Sequence, residues 1–185
     1  MSKLAFLVDG RLEQKFIQSV CPGQPVRYIN CNGDDVAIET MAKFIASLIR
    51  ILDNKYYPIV IVIDRESRDI TSCDMCSVLL RYLKENEEVQ DKVIIGVADR
   101  MIENWILADP EIVRSHPNYN DNSVSVCEST NGKGKINNCI NLYHETTIGV
   151  ELLLKCRASI IKVNSPSFAN LFNQLQLEDC QWLNK

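Results

Sequence analysis

"IVIVIDRES", Ile59 to Ser67, decides the fold. Five apolar residues in unbroken succession leave no polar face, so the strand they form must be covered on both sides. Such strands belong to the middle of parallel sheets. The run stops abruptly on Asp64-Arg65-Glu66. Carboxylates at a strand tip are either a solvated end or a device for holding a cation, and the flanking sequence has to discriminate.

Two further segments repeat the pattern: "LAFLVD" (Leu4 to Asp9) and "KVIIGVAD" (Lys92 to Asp99). "VRYINC" (Val26 to Cys31) is more polar and reads as a strand at or near an edge. Strands are therefore expected at 4–9, 26–31, 59–64 and 93–98. Between them the apolar residues take helical spacing. Leu12, Phe16, Ile17 and Val20 share one face; a second helix is expected from Asp35 to Asp53 and a third from Thr71 to Glu88. "MIENWILAD" (Met101 to Asp109) opens a fourth, which Pro110 restarts, with Trp105 in the core. Alternation of strand and helix implies right-handed crossovers. The expected fold is α/β, a Rossmann-like, mostly parallel four-stranded sheet flanked by helices, with strand one beside strand three. That core spans 1–114. The chain from 115 to 185 begins polar and loop-like, with "NGKGK" (Asn131 to Lys135) read as a flexible loop. Helices are then expected near Ile136–Tyr143, Thr147–Cys156 and Phe168–Leu175. This helical C-terminal extension would pack on the sheet within a single domain, with Ser165-Pro166-Ser167 capping its last helix.

Composition narrows the function classes. The chain has 185 residues, enough for a full core without metals or disulfides. No run of about 18 apolar residues exists, so no membrane partner is expected. The N-terminal apolar run is broken by Asp9 and reads as a core strand rather than a signal peptide. Eight scattered cysteines without an export signal are expected to be reduced thiols of a cytoplasmic protein. "CDMC" (Cys73 to Cys76) lacks the second pair that a structural zinc needs. His116 and His144 have no evident partners and read as surface residues. A formal net charge of −4 opposes a broad electrostatic grip on nucleic acid but leaves a nuclease open, since a cation in an acidic site neutralises locally.

The acids fall where such a site would lie. Ligands of open parallel sheets bind beyond the carboxyl ends of the strands. Asp9, Asp64 and Asp99 end strands one, three and four, with Glu13, Glu66 and Glu103 close behind. Six carboxylates on one rim repel unless something positive intervenes, and hard oxygen ligands suit Mg2+ or Mn2+. For Glu13 and Glu103 the alternative is a helix N-terminal acid held by the macrodipole. Gly10 would allow backbone to approach a phosphate closely, and Lys133 and Lys135 could reach one from the "NGKGK" segment.

"VDGRLE" and "IDRES" resemble the acid-Gly and acid-x-acid motifs of the TOPRIM domain, the metal-binding fold of topoisomerases, bacterial primases and overcoming-lysogenisation-defect nucleases. "MIENWILAD" and "NSPSFANLF" extend the resemblance to small stand-alone TOPRIM proteins of bacterial defence loci, across nearly the whole chain. The family expects Glu where Asp9 stands and Asp where Glu66 stands. The resemblance implies catalytic roles for Asp9, Asp64 and Glu66. Asp9 would lie nearest the scissile phosphate, Asp64 and Glu66 would bind metal, and Glu13 and Glu103 would support. It implies a Mg2+- or Mn2+-dependent nuclease of an anti-phage system, acting on DNA or RNA with an ABC- or SMC-type ATPase partner. The alternative is a catalytically degraded module that binds or regulates such an ATPase. A homo-oligomer is left open by the sequence.

Overall fold

The computed structural model describes residues 4–31, 36–52, 55–85 and 93–175. Four strands form the sheet: β1 (Ala5–Val8), β2 (Val26–Tyr28), β3 (Ile59–Asp64) and β4 (Val93–Ala98). Their order is β2-β1-β3-β4, and every pairing is parallel. Val8 lies level with Val62, and Asp64 with Ala98, so the carboxyl ends of β1, β3 and β4 lie along one rim of the sheet. The fold is thus the expected α/β arrangement with β1 beside β3, and β2 lies at one edge with β4 at the other.

The strand pattern dictates the layers. Phe6, Val8, Val60, Val62 and Ala98 face one side, and Ala5, Leu7, Ile61, Ile63 and Val97 the other. The second side is covered by α2 (Ile38–Leu52) and α3 (Ser72–Glu85), through Met41, Ile45, Leu79 and Leu83. The first side is covered by α1 (Arg11–Val20), by α4 (Glu103–Leu107) and α5 (Pro110–Arg114), and by residues from the last third of the chain. Each large side chain fully removed from water there contributes about 1.5–3 kcal/mol.

The last third departs from its expected boundaries. "NGKGK" is not a loop: α6 runs Gly132–Cys139, beginning four residues before the helix expected at Ile136. Its cap is Asn131, whose Oδ1 accepts from Gly134 N–H at 2.9 Å, so a side-chain hydrogen bond offsets the poor helix propensity of two glycines. The segment expected as one helix from Thr147 starts instead as a π-helical turn, Glu145–Gly149, and continues as α7 (Val150–Lys155). A short helix the pattern did not announce, α8 (Ala158–Asn164), precedes α9 (Pro166–Leu175). Ser165 caps α9 as expected, its Oγ accepting from Phe168 N–H at 3.2 Å. Trp105 and Phe168 meet edge to face, 5.4 Å between ring centres, inside the core.

Two expectations are corrected. Cys31, Cys73, Cys76, Cys127, Cys139 and Cys156 are free thiols, but Cys21 is disulfide-bonded, and Cys180 lies outside the described residues. Scattered spacing carries no pairing signal, so eight reduced thiols do not follow from it, and the cysteines give no support to a cytoplasmic location. His116 is buried rather than on the surface, its Nδ1 accepting from Asn118 N–H at 3.1 Å. Among the described residues, no helix is long and apolar enough to cross a membrane.

Candidate functional site

Beyond the carboxyl ends of β1 and β3 lies an open cleft of ≈ 580 Å³. Asp9, Gly10, Glu13, Asp64 and Glu66 line it, joined by Arg11, Tyr28, Asn30 and Glu145. Asp9 follows β1 directly, and its side chain is 8% exposed. Its Oδ1 is buried with no hydrogen-bond partner among the described residues. A buried carboxylate oxygen without a donor is costly, and native structures rarely leave one without a reason. Burial, and then the charge of Glu66, raise the Asp9 pKa from 3.8 to about 6, against the opposing pull of Arg68 and the Cys31 N–H.

Glu13 sits one turn into α1, facing inward beneath the cleft. Gly10 makes that possible: a Cβ there would stand 2.5 Å from Glu13 Oε2, so any larger residue would displace the carboxyl group. Burial raises the Glu13 pKa to about 8, with Glu103, Asp9 and Glu145 adding to it and its own backbone N–H opposing. The macrodipole therefore does not account for this residue, since a solvated helix-start acid would be held low rather than high.

Asp64 closes β3 and is steadied by Ile102, whose N–H donates to Oδ1 at 2.9 Å. Its pKa is raised well above the usual value by burial and then by Glu13, Glu103, Glu66 and Asp9. Glu66 follows in the left-handed region, at φ 58°. That conformation is uncommon for a residue with a side chain, and it costs of order 1 kcal/mol or more. It is held by two parallel-strand-like bonds, Arg65 N–H to Ala98 O at 3.0 Å and Glu66 N–H to Arg100 O at 2.8 Å. The turn sends the three residues of the opening motif in different directions. Asp64 and Glu66 line the cleft, while Arg65 folds back so that its Nε donates to Asp99 Oδ1 at 2.6 Å.

Asp99 is consequently not part of the acidic rim, contrary to the sequence reading. Arg65 neutralises it, and Ser129 Oγ donates to its other oxygen at 2.5 Å. Its place is taken by Glu145, from the π-helical turn, which pairs with Lys133 Nζ at 2.5 Å. Glu103 is buried behind the cleft, where Tyr143 Oη donates to its Oε1 at 3.4 Å. Burial and then Glu145 raise the Glu103 pKa, against its own N–H, Lys133 and Tyr143. Of the two candidate phosphate-binding lysines, Lys133 belongs to this site and Lys135 does not. Lys135 donates to Cys127 Sγ at 3.2 Å and lines a separate cleft with Asn122, Ser125 and Asn138.

Arg11, Tyr28, Asn30, Tyr143 and Glu145 are the site residues that sequence reasoning missed. Arg11 could have been found as the residue after acid-Gly at a helix start. Glu145 could have been found as an acid opening a helical segment in "HETT". Among the described residues, no three His, Cys, Asp or Glu side chains stand together as a ready-made metal-ligand group. The donor chemistry nevertheless suits a hard divalent cation: oxygens only, mutually repelling, one of them orphaned. Comparison with known proteins finds no matching family model, no matching curated protein and no matching solved structure.

Proposed function

We propose that the chain is a Mg2+- or Mn2+-dependent phosphodiesterase of TOPRIM type that cleaves nucleic acid. The observation that carries this reading is the partnerless, buried Oδ1 of Asp9 within a cleft whose other carboxylates repel it. A cation seated among Asp9, Asp64 and Glu66 would supply Lewis acidity toward a phosphate oxygen and toward water. Glu13 and Glu103 would support from behind. The chain's own groups divide the remaining work. Ile102 N–H fixes the Asp64 carboxylate at the strand tip. Without a cation, burial and the neighbouring acids hold the proton on Glu13 up to about pH 8. Gly10 would let the backbone come close to a phosphate, and Arg11, which also lines the cleft, would bring positive charge toward the phosphate chain. Lys133 offsets Glu145 and moderates the negative field at the entrance. The sequence resemblance implies a role in anti-phage defence, beside an ABC- or SMC-type ATPase that would supply basic surface to an acidic chain.

The second reading is the degraded binding or regulatory module. It is favoured by the absence of a three-point ligand group among the described residues and by the Asp9 and Glu66 departures. One experiment separates the two. Labelled single- and double-stranded DNA and RNA are incubated with the purified protein and Mn2+ or Mg2+, with an EDTA control and an Asp64→Ala variant. Cleavage that requires metal and Asp64 supports the nuclease. No cleavage by the wild type, alone or with its ATPase, overturns it in favour of the module.

A further inference from the structure

The segment Cys127-Glu128-Ser129-Thr130 ties four parts of the molecule together, one residue to each. Glu128 Oε1 accepts from Ser167 Oγ at 2.6 Å at the start of α9. Ser129 Oγ donates to Asp99 Oδ2 at the tip of β4. Thr130 O accepts from Asn104 Nδ2 at 3.0 Å on α4. Cys127 is the fourth tie, and its partners are of a different kind. Lys135 Nζ lies 3.2 Å from its sulfur and Thr130 Oγ1 lies 3.3 Å from it, so an amine and a hydroxyl converge on one half-buried thiol. Lys135 also lines an open polar cleft of ≈ 470 Å³, and the half-buried Cys127 is itself in part open to solvent. None of these groups takes part in the acidic site.

We propose that Cys127 and Lys135 form a peroxide-driven, reversible covalent crosslink. The chemistry is that of a cysteine sulfenic acid trapped by a neighbouring nitrogen. In the first step the thiol attacks a peroxide, the O–O bond breaks, and hydrogen peroxide is reduced to water as Cys127 becomes the sulfenic acid. In the second, deprotonated Lys135 Nζ attacks that sulfur. The S–N bond forms, the S–O bond breaks, and the departing hydroxide takes the proton from nitrogen and leaves as water. The net change is one peroxide consumed, two waters formed and two hydrogens lost from the protein. Two equivalents of an added thiol reverse it, returning Cys127 and Lys135 and giving a disulfide of the reductant. Because Cys127 heads the strap, the crosslink would fix the segment that holds Asp99 and leads into α6, which carries Lys133.

The test is peptide mapping of the full chain after mild hydrogen peroxide treatment, without reduction. Wild-type protein should give a linked species containing Cys127 and Lys135, lighter than the sum of its parts by two hydrogens, with tryptic cleavage after Lys135 lost. Added thiol should abolish it. Lys135→Arg keeps the positive charge but offers no amine, so the linked species should vanish and Cys127 should proceed to the sulfinic acid. Circular dichroism confirms that the variant is folded. If Cys127 of the wild type goes to the sulfinic acid as fast as in Lys135→Arg, or joins another cysteine instead, the proposal is overturned.

Discussion

Replacing Asp9 by Asn should stabilise the metal-free protein, and only above a definite pH. Asp9 ionises near 3.8 in the unfolded chain and near 6 in the native cleft. Between those values the native state holds a proton that the unfolded state has released, so stability falls as pH rises from 3.8 through about 6. At about 1.4 kcal/mol per pH unit, that interval amounts to about 3 kcal/mol lost by pH 7.5. Asn cannot ionise, so it does not incur the loss. Its amide nitrogen can occupy the place of the orphaned Oδ1, and its remaining oxygen can still accept from the Cys31 N–H. For a chain of this size, about 3 kcal/mol corresponds to a rise in Tm of roughly 6–12 °C. The assay is thermal or urea unfolding of wild type and Asp9→Asn, in EDTA, from pH 4 to 8. The two curves should nearly coincide at pH 4 and separate as pH rises, levelling off above pH 6. A variant that is no more stable than wild type at pH 7.5, or one whose advantage is the same at pH 4, would refute the picture of an uncompensated buried charge.

Other perturbations test the surroundings. Glu13→Gln should gain stability over wild type progressively from pH 4.5 to about 8, because its native pKa is raised and the unfolded chain ionises first; urea melts across that range read the slope. Gly96→Ala should destabilise by about 1–3 kcal/mol, since a Cβ there would lie 2.7 Å from Leu171 Cδ2 where α9 packs on β4; chemical denaturation at pH 7 measures it. Arg157→Ala should destabilise the protein at pH 7, because Asp109 is fully buried and takes hydrogen bonds from Arg157 Nε at 2.9 Å and Nη2 at 2.6 Å. Although burial works against it, Arg157 holds the Asp109 pKa below 3.8. The stability it confers is present above that pH and lost as pH falls through the native value, so the cost of Arg157→Ala should shrink in acid.

The sheet could be read from sequence because its strands are apolar on both faces, a pattern that leaves few alternatives. "IVIVID" and "KVIIGVAD" gave β3 and β4 to the residue or nearly so. The acids at strand tips could be read for the same reason: a buried strand that ends on a carboxylate places it at a known edge. Asp99 misled because its neutralisation depends on Arg65, thirty-four residues away, and which way an Arg between two acids turns is set by backbone geometry at Glu66. In the last third, the signals were tertiary. Glycines and lysines in "NGKGK" predict a loop, yet one Asn cap converts them into the start of α6. Glu145 joins the cleft through a π-helical turn, a device with no apolar period to betray it. Cys21 forms a bond that spacing alone could not announce.

Whether the cleft is built for a divalent cation is read by the Tm of the metal-free protein during titration with Mn2+ at pH 6 and pH 8. A ligand that binds only the native state stabilises by mass action, and these ligands must ionise to bind. The Tm should rise at millimolar Mn2+, more at pH 8 than at pH 6, and not at all in Asp64→Ala. An unchanged wild-type Tm at both pH values, with and without an oligonucleotide, would contradict it.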